Sequence, residues 1–502
     1  MTLSKILDGV PVTKMFQTMY GKMVVTHDVE IGTLQYDSRK VSAGDLFVAL
    51  RGTVVDGHTF IDKAVANGAK VVVLEDDGVL PDSYFMHAGV VKIVVADSRK
   101  ALAKMAANYF DNPSHRIRLI GVTGTNGKTS TTYLMKSILE ASGEKVGLIG
   151  TIEYTIGDEA RPATHTTPES LELNALLAAM LQRGCTAAVM EVSSHSLVMK
   201  RVYGLKFAAA VFTNLTQDHL DFHHTMGNYF QAKKILFDGL EADAVAVTNA
   251  DDPHGLRIVE TTAARTLTYS INGTGDVVAS NVRVSLAGTT FDVASRNVTV
   301  TVTSPLIGRF NVQNMLAAYA TATGIGVEAG AIRKGIANLK SVPGRFQHIS
   351  SPDGWIAVVD YAHTPDALEN CLRAIHDIMP MESRGRVITV FGCGGNRDKG
   401  KRPQMGRIAT ELSDVTILTS DNPRLENPDD ILAEIRTGCL PGKTLFIEAD
   451  RRKAIALALG QAQRGDVVLI AGKGHEDYQI IGTQKKHFDD REEVENYIRT
   501  RR

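Results

Sequence analysis

One segment constrains the fold more than any other. The apolar run Arg118–Val122 passes into Thr123-Gly124-Thr125-Asn126-Gly127-Lys128-Thr129, and Lys-Thr then opens the helical pattern TSTTYLMKSILEASG. A strand, a glycine-bearing turn and a helix in that order make a phosphate cradle. The glycines let backbone N–H groups approach phosphate oxygens, and the helix start favours negative charge. Lys128 supplies a cation and Thr129 a hydroxyl for Mg²⁺. Strict GxxxxGK[ST] spacing needs glycine at 122, which is valine here, so this is a variant loop. A glycine turn that merely caps a helix is the plainer alternative. The order of elements favours nucleoside triphosphate binding.

Around this loop the chain alternates buried strands with helices: RLIGVTG, KVGLIG, AAVMEV, AAAVFTN and AVAVTN. Near-continuous apolar strands predict a parallel sheet covered on both faces. After Thr266 the pattern shifts to short alternating stretches, NVRVSLAG and TFDVASRNVTVTV, which predict an antiparallel appendage. A second α/β sheet of Rossmann-like type is expected from WIAVVD, RVITVFG, DVTILTS, TLFIEA and DVVLIAG. Upstream, LFVAL, TFIDKAVANG and KVVVLE read as strand, helix and strand. The expected fold is α/β with three domains, 1–112, 113–342 and 343–502. The first boundary falls at Asp111-Asn112-Pro113-Ser114 and the second near Val342-Pro343-Gly344. At 502 residues the length itself predicts about three domains.

Charge and cysteine content narrow the function. There are 55 Lys+Arg against 56 Asp+Glu, a balance that argues against nucleic acid as a bulk polyanionic partner. Four scattered cysteines form no CxxC pair, so neither a disulfide framework nor a cysteine zinc site is expected. With no signal-like start and no apolar run of membrane-spanning length, a cytoplasmic protein is expected.

Two further strand ends carry hard ligands suited to Mg²⁺: Glu191, before Val192-Ser193-Ser194-His195, and Thr213–Asp221, which includes His219. Each alone also reads as a surface turn or helix cap. HLDFHH admits zinc, but the phosphate loop favours magnesium. GCGG at Gly392–Gly395 is not GxGxxG, and no acidic ribose partner sits at the expected distance, so a redox reading is rejected.

The ordered motifs TGTNGKT, MEVSSH, TNLTQDHLD, NYFQAKKILF, VTNADD, GRFNVQNMLAA, VPGRFQ, DYAHTP, GCGGNRDKGKRP, SDNPR and AGKGHE span nearly the whole chain. Together they resemble the Mur ligases, ATP-dependent amide-forming enzymes of peptidoglycan assembly. DSRKVSAGDLFVALRG resembles the UDP-sugar domain of the members that add the third residue of the peptide.

The resemblance implies a set of roles. Gly124, Thr125, Asn126, Gly127, Lys128 and Thr129 take ATP phosphates, Asn311 and Asn314 lie on the adenine side, and Arg345 and Asp360 reach the nucleotide from the third domain. Thr129, Glu191, His219 and Lys233 attend two Mg²⁺ ions, with Lys233 carbamylated. Lys128, Lys233, His219 and Arg345 carry catalysis. Ser38, Thr166, Thr167, Ser193 and Arg201 hold UDP-MurNAc-L-Ala-D-Glu. Arg397, Asp421, Asn422, Pro423, Arg424, Gly472 and Glu476 hold the added amino acid.

The residues alone make Lys233 a solvated helix lysine, and adjacent Lys234 leaves the register open; the Ala-Lys order favours Lys233. DNPR alone is a proline turn stopping a strand. Within the family it marks members that add meso-diaminopimelate, since an arginine can grip the distal carboxylate that lysine lacks. Lysine addition is the alternative. A folylpolyglutamate-type ligase is disfavoured by the separate N-terminal domain and DNPR. A non-enzymatic nucleotide switch is disfavoured by Lys128, Glu191, His219 and Lys233 together. A monomer is expected.

Overall fold

The computed structural model describes residues 1–16, 18–19, 22–23, 29–52, 55–295, 298–379 and 385–500. The chain divides into two compact units. One comprises Met1–Gly121 with Lys145–Ala208, the other Val122–Glu144 with Ala209–Arg502.

In the first unit, a five-stranded sheet runs in the order Val12–Phe16, Val91–Val95, Val71–Leu74, Leu46–Val48, Leu34–Gln35. Only the Val12–Phe16 pairing is antiparallel. The expected strand, helix and strand are present at Leu46–Val48, Ile61–Ala66 and Val71–Leu74. Helix Ser98–Tyr109 begins at Asp97, whose carboxylate accepts from Lys100 N at 2.9 Å, and lays Ala101, Leu102, Met105 and Ala106 on the sheet core. The chain then breaks at Asp111 and Asn112, both with positive φ (61° and 49°). This unit also holds the parallel pair Val146–Ile149 and Ala187–Glu191 and helix Ser170–Gln182. The hairpin Glu153–Ile156/Glu159–Pro162 completes it.

In the second unit, Ala209–Phe212, Val245–Asn249 and Arg265–Ser270 pair in parallel. The expected change of pattern after Thr266 comes later than the sequence implied: Arg265–Ser270 is still parallel to Val277–Ser285. Antiparallel pairing starts only with Val277–Ser285, Gly288–Ser295 and Val298–Ser304. Arg296 and Asn297, inside the predicted appendage, lie outside the described residues.

A six-stranded sheet ends the unit, in the order Gln347–Ser350, Ile356–Asp360, Val467–Ala471, Val387–Phe391, Val415–Leu418, Thr444–Ile447. Its strands show why the apolar runs are unbroken. Val358 and Leu469 face a core built with helices Pro365–Ile378 and Lys401–Leu412. Ala357, Val359, Val468 and Ile470 face a second core built with Arg451–Gln461. With both faces covered, neither can be polar. The four cysteines are free thiols. Among the described residues, no helix is long and apolar enough to cross a membrane.

Candidate active site

The second unit builds its site on the phosphate loop. Two glycines there cannot be replaced without displacement. Gly124 has φ 150°, and a Cβ on it would lie 1.8 Å from Thr213 Oγ1. Gly127 has φ 86°, and its Cβ would lie 2.3 Å from Asn314 Oδ1. The loop is braced from the stretch after Ala209–Phe212. Thr213 Oγ1 donates to Asn126 O at 2.6 Å, Asn126 N donates to Asn214 Oδ1 at 2.9 Å, and Thr216 N donates to Thr125 Oγ1 at 3.0 Å. Asn126 Nδ2 also donates to Asp366 Oδ2 at 2.6 Å. These contacts fix the loop at the start of helix Lys128–Ala141, the end of a helix that favours a phosphate.

Three basic side chains converge on it. Lys128 Nζ donates to the carbonyls of Gly124 (3.0 Å) and Thr125 (2.8 Å). Arg345 Nη2 donates to Thr129 Oγ1 at 2.9 Å and its guanidinium stacks 4.5 Å from the Tyr361 ring. Lys233, on helix Met226–Asp238, is 1% exposed; its Nζ donates to Gly124 O at 2.7 Å and lies 4.5 Å over the Tyr229 ring. The reading of a solvated helix lysine is thereby corrected, because this face of the helix is covered by the loop. Lys234 instead pairs with Asp238 on its own helix. Burial, reinforced by Lys128, pushes the Lys233 amine well below the usual lysine range.

His219 shares the Tyr229 ring with this lysine. It has φ 55°, its ring is edge-on to Tyr229, and its Nε2 is 3.3 Å from Asp218 Oδ2. Burial raises the Asp218 carboxyl, but His219, His363 and Lys401 outweigh it and hold the group low. His363 is held down at about 4 by burial and Lys401, so it is neutral near pH 7.

Two expected nucleotide contacts are otherwise engaged. Asp360 accepts from Phe346 N (2.6 Å) and Ala362 N (2.7 Å), bracing the segment that carries Arg345. Asn311 Nδ2 donates to Ile307 O at 2.8 Å, while Asn314 Nδ2 donates to Asn311 Oδ1 at 3.1 Å. Of this pair only Asn314 lies against the phosphate loop, at Gly127.

The C-terminal sheet holds a second cluster. Arg424, with φ 53°, donates from Nη1 to the carbonyls of Gly395 (2.9 Å) and Asn422 (3.5 Å). Among the described residues it pairs with no carboxylate. Its backbone is fixed by the hairpin Tyr478–Ile481/Gln484–His487: Arg424 N donates to Ile480 O at 3.1 Å and Gly482 N to Arg424 O at 2.8 Å. Pro423 is buried at the turn, where its fixed φ helps aim the following residue. Asn422 Nδ2 donates to Glu476 Oε2 at 2.8 Å. Gly472 N donates to Asp360 O at 3.0 Å, so the AGKGHE turn starts beside the nucleotide-side strand. Arg397 is exposed and donates to Asn396 O at 3.1 Å.

The first unit gathers most of its expected contacts into one network. Thr151 joins Glu191 (Thr151 N to Oε1, 2.8 Å; Thr151 Oγ1 to Oε2, 3.0 Å) to Thr166, hydroxyl to hydroxyl at 3.1 Å. Thr167 Oγ1 donates to Glu191 O (2.8 Å) and accepts from Ser193 N (3.1 Å), and Arg201 Nη1 donates to Thr167 O (2.9 Å). Arg99 and Arg201 both lie 3.4 Å from Glu169 Oε2. Tyr36 OH donates to Glu172 Oε1 at 2.7 Å. Ser38 is outside this network; it is buried, and its carbonyl accepts from Asn67 Nδ2 at 2.8 Å. Thr151, Glu169, Tyr36 and Arg99 escaped sequence reading because no local pattern distinguishes them from ordinary surface or turn residues.

Among the described residues, no three His, Cys, Asp or Glu side chains gather as an all-protein metal set. Zinc of the kind HLDFHH admitted needs such a set. Magnesium does not, since it keeps waters and phosphate oxygens around one or two protein donors, and the Thr129 hydroxyl at the head of the loop suits it.

This architecture belongs to a known class. The Mur ligase family catalytic domain matches residues 30–110, the Mur ligase middle domain 122–322, and the Mur ligase glutamate ligase domain 344–474. The chain is a member of the Mur ligase family, with that family's three-domain α/β fold. It is 46% identical over 476 residues to the UDP-N-acetylmuramoyl-L-alanyl-D-glutamate--2,6-diaminopimelate ligase of Parabacteroides distasonis, covering 94% of this chain and 96% of that one. A solved structure of a ligase with the same description superposes at TM-score 0.68, with 34% identity, over 100% of this chain and 99% of the other. The MurF ligase of Thermotoga maritima in complex with ADP shares the fold at TM-score 0.65 and 22% identity, over 95% and 100% of the two chains.

Proposed function

We propose that this Mur ligase couples ATP cleavage to amide formation, adding meso-diaminopimelate to UDP-MurNAc-L-Ala-D-Glu. The observation that carries the choice of amino acid is Arg424. Its guanidinium is partly buried, aimed by a positive φ, and satisfied by carbonyls rather than by a carboxylate. A substrate carboxylate offers it two parallel charge-assisted hydrogen bonds, and lysine has none to offer at that position.

The γ-carboxylate of the D-glutamyl end takes the γ-phosphoryl group of ATP, giving an acyl phosphate and ADP. The neutral amine of diaminopimelate then attacks the carbonyl carbon. The C–N bond forms, phosphate leaves, and the amine loses its proton. Such phosphoryl transfer needs alignment and charge neutralisation rather than a protein nucleophile. Lys128 and Arg345 supply fixed positive charge at the loop, and the start of helix Lys128–Ala141 orients the phosphates. Thr167, Ser193 and Arg201 position the acidic peptide end, and Ser38 the uridine end. When bound, Mg²⁺ would neutralise charge on the phosphates. Thr129 and His219 are its proposed donors in the second unit.

Lys233 joins them as a carbamate. Burial and Lys128 favour the neutral form of its amine, which can add to CO₂, forming an N–C bond and releasing one proton. The product is an anion in place of an amine. The proposed domains are 1–112 for the nucleotide sugar, 113–342 for ATP and 343–502 for the amino acid.

The test is product identification by mass spectrometry with each substrate omitted in turn. UDP-MurNAc-tripeptide formed only when dipeptide, ATP and diaminopimelate are all present is expected. ADP formed at full rate without the amino acid would contradict the reading.

A further inference from the structure

Lys473 lies in the AGKGHE turn, fully buried at 0% exposure. Its Nζ is 3.3 Å from Asn422 Oδ1, 3.3 Å from Glu476 Oε2 and 3.5 Å from Asp421 Oδ1. Thus one buried ammonium touches three of the side chains assigned to the amino acid. A buried lysine is expensive unless its charge is used. Here two carboxylates face it.

We propose that Lys473 is a positioning residue that holds the Asp421–Glu476 pair at one net negative charge. The pair then receives the distal ammonium of diaminopimelate while Arg424 takes the distal carboxylate. The inference rests on the amino-acid site proposed above and deepens it. Two carboxylates and one ammonium sum to −1, Arg424 is +1, and a zwitterionic carbon carries one charge of each sign. Without Lys473, the two carboxylates would repel, and one would hold a proton and cease to accept from an ammonium.

The surroundings agree. Burial and Asp421 already raise the Glu476 carboxyl, and Lys473 and Asn422 oppose that rise. The other groups acting on Glu476 are Tyr361, whose OH is 3.5 Å from Oε1, and Tyr478, Arg424 and Arg451. Arg451 is committed to Asp490 at 2.7 Å, and Arg424 to carbonyls, so neither replaces Lys473 at the pair.

The test is steady-state kinetics on the full chain from pH 6.5 to 9. Lys473→Met is expected to raise the KM for diaminopimelate by about 10-fold or more, with the KM values for ATP and the UDP-dipeptide unchanged. Its loss should be greatest at the acid end, because the carboxylate pair then titrates at higher pH. Lys473→Arg should keep most of the affinity. The double variant Asp421→Asn/Lys473→Met, which removes one charge of each sign, should bind diaminopimelate better than Lys473→Met alone.

A Lys473→Met enzyme with wild-type KM and acid limb overturns the proposal, as does a double variant no better than the single. Where Lys473→Met does not fold, a folded Lys473→Arg that loses diaminopimelate affinity as completely as Arg424→Ala also overturns it. A wild-type enzyme that ignores diaminopimelate sinks the amino-acid reading itself, a result visible before any variant is made.

Discussion

Lys128 and Lys233 donate to the same carbonyl oxygen, that of Gly124, at 3.0 and 2.7 Å. Two ammonium groups so placed repel, and the buried one yields. Burial and that repulsion push the Lys233 amine well below the usual lysine range, while Lys128 is only half-buried. One glycine carbonyl thus links the phosphate loop to the side chain proposed for carbamylation.

A stability signature follows from that pair. The folded-state pKa of Lys233 is depressed, so between it and the ordinary lysine value of about 10.4 the unfolded chain binds the extra proton. Stability in bicarbonate-free buffer should rise with pH across that window. Lys233→Met should flatten this slope and, near pH 7.5, stabilise the protein by about 1 kcal/mol while abolishing ligase activity. Thermal melts from pH 7 to 10 check it; parallel profiles for the two proteins would refute the depressed lysine.

The carbamate makes a separate demand. Activity of the wild-type enzyme should fall on exhaustive removal of CO₂ and return with bicarbonate. A short carboxylate added to Lys233→Ala should restore part of the ADP release. Full activity of Lys233→Ala without any additive would exclude the role.

Arg345, proposed to act on the transferring phosphoryl group, is held by Thr129 and the Tyr361 ring. Arg345→Ala should lower kcat by roughly 10²–10³-fold, the usual cost of losing one preorganised charge-stabilising donor. The KM for diaminopimelate should barely move. A pure KM effect in the same assay would reassign Arg345 to binding.

Gly124→Ala should destabilise the chain by about 1–3 kcal/mol, because the new methyl would collide with Thr213 Oγ1. Adding Thr213→Ala should recover part of the loss. Calorimetry of the single and double variants measures both, and a Gly124→Ala protein as stable as wild type would mean the loop is not fixed as described.

Much of this was legible in the chain. Strand–glycine–helix order located the phosphate loop, and unbroken apolar strands announced sheets covered on both faces. What escaped depends on three-dimensional neighbours. Lys233 looks like a surface lysine because helical periodicity cannot see the loop folded over it. Asp360 reads as a ligand contact until both its oxygens are found on backbone amides. Lys473 lies inside a recognised motif, yet only folding sets it against Asp421, Asn422 and Glu476. The parallel strand Arg265–Ser270 is exposed at its start and buried only at Tyr269 and Ser270, so it lacks the unbroken apolar run of a doubly covered strand, which hid its parallel pairing.

The most direct measurement of the central claim is UDP-dipeptide-dependent ADP release, with meso-diaminopimelate and L-lysine compared in wild type and Arg424→Ala. Wild type should prefer diaminopimelate by roughly 10³-fold or more in kcat/KM, and Arg424→Ala should lose most of that preference while its KM for ATP stays put. Equal use of the two amino acids by wild type, or an undiminished preference in Arg424→Ala, would contradict the account.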